Sequence, residues 1–169
     1  MKKINKIILT AIIALSSLTY TFAQSKVAHI NTQELVASMP EMNTAKAELE
    51  KLAKTYETDI QTMAAELQSK VKQYDTEAPN QTDEENQKRL QEGQGMEQSI
   101  RQYQQQAQSD LQKKEFDLLK PISEKAQAAI IKVANAQGFD YVLDSTQGQG
   151  VILANGKDLM TDVKSELGF

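Results

Sequence analysis

The chain has 169 residues, 40% hydrophobic, 5% aromatic and 25% charged, with 7 Gly, 3 Pro and no Cys or Trp. So few aromatics, glycines and prolines argue against an all-β sandwich and for a helix-rich chain of about one domain's length. The lack of Cys excludes a disulfide framework, a lipoprotein anchor and a Cys nucleophile. The single His29 excludes a multi-His metal site and argues against a Ser-His-Asp triad.

The first element is an export signal. Lys2, Lys3 and Lys6 precede a nearly unbroken apolar run from Ile7 to Leu18, and small residues lead into a cleavage site placed after Ala23. About 12 apolar residues are too few to span a bilayer. Loss of residues 1–23 removes three lysines and no acids, so the formal charge of −4 becomes −7. An exported acidic chain is expected in the periplasm or outside the cell. It gains nothing from counterion release on nucleic acid, so no nucleic-acid partner is expected.

Residues 24–40 begin a small β-containing body. Val27 to Ile30 reads as a short strand, and Asn31-Thr32-Gln33-Glu34 has the spacing of a capping box. Pro40 sits where the first turn of the next helix tolerates a missing N–H.

Residues 41–120 read as a helical hairpin. Apolar residues recur at Met42, Ala45, Leu49, Leu52, Tyr56, Ile60, Met63, Leu67, Val71 and Tyr74, in steps of three and four. The repeat starts as a heptad and drifts toward eleven residues after Tyr56, which predicts a nearly straight or weakly right-handed distal coil. Ala78 to Gln81 breaks the pattern, and Thr82-Asp83-Glu84-Glu85 restarts it with a second capping box. The return arm runs through Leu90, Met96, Ile100, Tyr103, Ala107, Leu111, Leu118 and Ile122. A four-residue turn makes the arms antiparallel, and about 37 residues per arm project about 55 Å. Eleven of the residues between Gln81 and Gln112 are Gln, so one narrow seam joins two otherwise solvated helices. Gly93 and Gly95 interrupt the return arm and are hinge candidates. Counted from the turn, they fall opposite Ala64 and Ala65, where small residues permit close approach.

Residues 121–169 complete the body. Pro121 is expected to kink or restart the helix, Gly138 to stop it, and Phe139 to Asp144 to form a strand. Val151 to Ala154 reads as another strand, Asn155-Gly156 as a turn, and Asp158 to Leu167 as a closing helix. So few strand residues cannot make a covered sheet in one chain, so pairing between chains is expected. Val27, Ile30, Phe139, Tyr141, Leu143, Val151 and Leu153 are the candidates for this oligomer body. The fold class is α+β, mostly α.

The order of these pieces resembles the Skp/OmpH family of periplasmic chaperones for outer-membrane proteins, across essentially all of 1–169. The features that carry the likeness are Val27-Ala28-His29-Ile30-Asn31-Thr32, the stretch from Ala126 to Asp144 with Gly138-Phe139-Asp140-Tyr141-Val142-Leu143-Asp144, and the closing Asp158 to Leu167. The resemblance implies a homotrimer with a small β-barrel body and three hairpins around a client cavity. It also implies that unfolded outer-membrane β-barrel proteins are held there without ATP, and no cofactor is expected.

Long Gln-rich arms carrying Met42, Met63 and Met96 fit such a task, since Met adapts to irregular apolar partners. For each Met a place in the seam competes with a client-contact role. The best-known members are basic, whereas residues 41–120 hold 16 acids against 11 bases. The tip carries Asp75, Glu77, Asp83, Glu84 and Glu85, so contact with membrane or lipopolysaccharide is not expected there. Lys88 and Arg89 are assigned to a solvated face, and His29 to a structural role, with pH sensing at the body interface as the alternative. Asp140 and Asp144 share a strand face but lack a basic or metal-ligating partner, and no enzyme activity is expected. The competing function is an envelope coiled-coil spacer without clients. A secretion adaptor would need β-rich domains on both flanks, for which these flanks are too short.

Overall fold

The computed structural model describes residues 25–169, so the export signal read at 1–23 lies outside the described residues. Strand β1 (Val27–Ile30) leads into helix α1 (Thr32–Ser38), where the Asn31 side chain accepts from the Glu34 N–H at 3.0 Å. Helix α2 (Pro40–Glu77) follows at once with Pro at its first position. A single 3₁₀ turn, Ala78–Asn80, reverses the chain into helix α3 (Asp83–Ala136), and Thr82 caps it by accepting from the Glu85 N–H. Strands β2 (Tyr141–Asp144) and β3 (Lys157–Asp158) and helix α4 (Met160–Leu167) complete the chain.

Three corrections follow for the elements. Helix α3 runs 54 residues through Pro121 without restarting. Pro121 removes the donor that the Asp117 carbonyl would use, but both residues are exposed and water can satisfy that oxygen. Val151 to Ala154 is not a strand: β1 pairs with β2 on one side and with β3 on the other, and 151–154 joins neither outer edge of this sheet. Ile152 is fully exposed and Leu153 three-quarters exposed, while the two-residue strand forms later, at Lys157–Asp158. The closing helix accordingly begins at Met160 instead of Asp158.

The sheet has the order β2-β1-β3, and both pairings are parallel, with Val27 opposite Tyr141 and His29 opposite Leu143 and Asp158. Parallel strands need long crossovers, and the entire hairpin arm is the crossover between β1 and β2. The helix-to-strand passage is a Schellman cap. Gly138 at φ 69° donates its N–H to Asn135 and the Phe139 N–H reaches Ala134, a left-handed position that suits glycine.

Period two then sorts the strand residues. Ala28 and Ile30 face inward, each 1% exposed, onto a core of Leu35, Met39, Leu159, Val163 and the base of α3. The base of α3 offers Ala126, Ala129 and Ala134, small enough to let the sheet approach closely. Val27, Tyr141 and Leu143 point to the other face and remain exposed. No described helix is long and apolar enough to cross a membrane.

Candidate functional site: the arm and the furrow on its flank

The two arms are held by a ladder of side-chain contacts whose members set the register. Nearest the body, Lys125 of α3 bonds Glu41 of α2, followed outward by Lys114 with Glu48 at 2.6 Å. At mid-arm Tyr56 donates to Asp110 at 2.9 Å and Tyr103 donates to Asp59 at 2.6 Å. The two rings meet edge-on, 5.7 Å between centroids. Hydrogen bonding to Asp59 is the main reason the Tyr103 hydroxyl is pushed up to about 12.

Farther out, Glu92 accepts from Lys70 and from the Tyr74 hydroxyl, and these two bonds hold it below the usual carboxylate range. At the tip, Arg89 reaches Glu77 at 2.9 Å and Glu85 at 3.3 Å, with its guanidinium 4.7 Å from the centre of the Tyr74 ring.

This ladder corrects the expected seam. Arg89, only 14% exposed in its side chain, is a clasp between the arms and not a residue of a solvated face, while Leu90 is 62% exposed. Val71 likewise points out and Lys70 takes the facing position. With Lys70 and Tyr74 in line, the first arm is a heptad with one extra step between Tyr56 and Ile60, so the drift is local. Gly93 stands one residue from Glu92 and hence level with Lys70, not opposite Ala64 or Ala65. The 3₁₀ turn prolongs the first arm to Asn80 and moves the reversal point outward. No close approach of small residues exists at either glycine, since a Cβ on Gly93 or Gly95 would meet nothing within 4 Å.

Met42, Met63 and Met96 are all half-buried along the seam. Of the body candidates, Ile30 and Phe139 pack into the core of their own chain, whereas Val27, Tyr141 and Leu143 form the exposed sheet face. Val151 and Leu153 lie in the loop before β3. His29 also lies on the open face by strand alternation, and its Nδ1 is buried without a hydrogen-bond partner among the described residues. Asp140 and Asp144 have separate structural tasks. Asp140 accepts from the Lys26 N–H at 2.8 Å, while Asp144 accepts from Thr32 Oγ1 at 2.6 Å and the Thr146 N–H at 2.9 Å.

One surface was not anticipated. Along one flank of α3, three shallow depressions adjoin: the first and second share Gln112 and Glu115, and the second and third share Gln127. Phe116 is 64% exposed and Ile131 52% exposed along this line, large apolar groups left in water. Their signal was present in the sequence, because Phe116 and Leu119 fall out of phase with the seam residues Leu111, Leu118 and Ile122.

Known proteins share this architecture. The family model described as Outer membrane protein (OmpH-like) matches residues 26–167. A crystal structure of a candidate outer membrane chaperone (OmpH-like) from Caulobacter crescentus CB15 aligns with a TM-score of 0.76 at 19% identity. It covers 88% of this chain and 87% of that one. A comparison with curated proteins gives no match. A hairpin arm rising as the crossover of a small parallel sheet, matched nearly end to end, places the chain in the OmpH-like outer membrane protein family.

Proposed function

We propose that the protein is a periplasmic holding chaperone that works without ATP, and that its mature chain assembles as a homotrimer around a space for unfolded outer-membrane β-barrel proteins. The observation that carries this reading is the arm itself. It is two helices thick, joined by a seam in which Ala45 and Ala107 are the buried residues of 41–120, with its remaining apolar groups half-buried or exposed among Gln side chains. Such a surface offers weak apolar contact to a chain in transit and is kept soluble by its polar residues. Family membership and the structural likeness to a candidate outer membrane chaperone support the same role.

Assembly is supported by the sheet. It has three strands, one of only two residues, and leaves Val27, Tyr141 and Leu143 uncovered on one face. A sheet with one bare apolar face and open edges is stabilised by another chain.

The test of function is dilution of a denatured barrel membrane protein into buffer with and without the purified mature chain, followed by light scattering. Suppressed aggregation without nucleotide is expected; scattering equal to that of the client alone would overturn the proposal. For assembly, light scattering of the wild type should return three times the chain mass. The double substitution Tyr141→Asp/Leu143→Asp should bring it toward the mass of one chain. A wild-type monomer at micromolar concentration would refute the trimer.

A further inference from the structure

We infer that the furrow on the flank of α3 is a binding track for one extended polypeptide segment, apolar on alternate residues and basic at the others. This inference rests on the holding role proposed above and specifies where a client lies and which charge it carries.

The furrow begins between the arms at Ile60 and Gln104, continues past Phe116 and Leu119 on α3 alone, and ends against the sheet at Ile131 and Tyr141. Its three parts hold about 470, 520 and 360 Å³. From Gln104 to Asn135 the helix rises about 45 Å at 1.5 Å per residue. An extended chain crosses that distance in about 14 residues at 3.3 Å each. That is one membrane-spanning β-strand of about 9–11 residues with its flanks.

The lining explains the pattern of the occupant. The floor is apolar, through Ile60, Leu111, Phe116, Leu119, Ile130 and Ile131. Gln61, Gln104, Gln108, Gln112 and Gln127 supply amides, each able to donate and to accept, so they can meet either polar group of an extended backbone. A segment that alternates puts one side-chain row on the floor and the other toward water.

Charge decides the rest. Glu57, Glu115, Glu124, Asp140 and Asp144 line the track against Lys120 alone. Lys120 is itself 3.9 Å from Glu124, and Asp144 is engaged by Thr32 and Thr146. Glu57 and Glu115, exposed at the mid-arm end, belong to no ion pair among the described residues. A basic segment lowers the mutual repulsion of these carboxylates, and an acidic one raises it.

The experiment uses the full mature chain and two labelled 14-residue peptides with identical alternating apolar residues, one with Lys and one with Glu at the intervening positions. Fluorescence anisotropy should show the Lys peptide binding at least tenfold more tightly at low salt, with the gap closing as salt is raised. Glu57→Lys/Glu115→Lys, two exposed substitutions, should abolish or reverse that preference. Leu119→Ser should weaken both peptides several-fold while circular dichroism stays unchanged.

A wild type that holds a denatured barrel protein yet shows no preference between peptides would overturn the track and leave the chaperone role standing. So would a charge-reversed variant with wild-type preference. If Leu119→Ser lowers the oligomer mass and leaves both affinities intact, the furrow is a contact between copies and the inference fails.

Discussion

Gly93 occupies a facing position of α3 and leaves a gap there, since a Cβ on it would meet nothing within 4 Å. Overpacking is therefore no obstacle to a larger residue. Gly93→Ala and Gly95→Ala should each stabilise the arm by about 1 kcal/mol from helix propensity, read as a rise in Tm. If the pair acts as a hinge, the double variant also narrows the distance distribution between spin labels near the tips. A more stable variant with an unchanged distribution would show that the two glycines serve no bending role.

Asp144 allows a second test at the level of one side chain. Burial alone raises its carboxyl, but bonds from Thr146 and Thr32 outweigh that effect and bring it from the ordinary 3.8 to about 2. A depressed folded value means the stabilisation is complete above about 3.8 and is lost as pH falls toward 2. Wild-type Tm should thus fall more steeply across this window than the Tm of Asp144→Asn, which starts lower. Parallel curves would show that the carboxylate is not linked to folding.

Among the elements, the hairpin departs from an ordinary apolar coiled coil in the way its register is fixed. Shape alone specifies it weakly, because the seam is narrow and half-solvated. The crossed pair of Tyr56 with Asp110 and Tyr103 with Asp59 supplies directional bonds that a one-turn slip would break. Raised above its usual range, the Tyr103 hydroxyl contributes stability that is present below about 10 and lost as pH rises through about 12. A tyrosinate absorbance titration should show one phase near 12 that disappears in Tyr103→Phe. Asp59→Asn should move that phase back toward 10, and a phase that stays put would break the link between the two residues.

For the whole molecule, the arm and the base have separable sources of stability. The base buries Ile30, Leu35, Met39, Leu159 and Val163 completely, and none of these residues belongs to the distal hairpin. Removing residues 53–111 and joining Leu52 to Gln112 with a short turn follows the register of the ladder. The proposed oligomer should persist while holding activity disappears. A truncated protein that still suppresses client aggregation would place client binding in the base.

Local chemistry in the sequence was enough to determine the helices, caps and turn. The caps made at Asn31, Thr82 and Gly138 each close within five residues, so these capping bonds need no distant partner. The long run of three- and four-residue steps likewise determined a hairpin with a single seam. Tertiary structure alone decided which neighbour faces inward where two residues compete. Arg89 displaces Leu90 because its guanidinium meets the Glu77 carboxylate, the Glu85 carboxylate and the Tyr74 ring, which come from separate turns. It also decided the last strand. Val151 to Ala154 has the composition of a strand, but the place beside β1 opposite β2 is taken by Lys157–Asp158, and 151–154 pairs with no described strand. The furrow belongs to the same class: Phe116 and Ile131 are visible in the sequence as apolar residues, yet only packing shows that none of the described residues covers them.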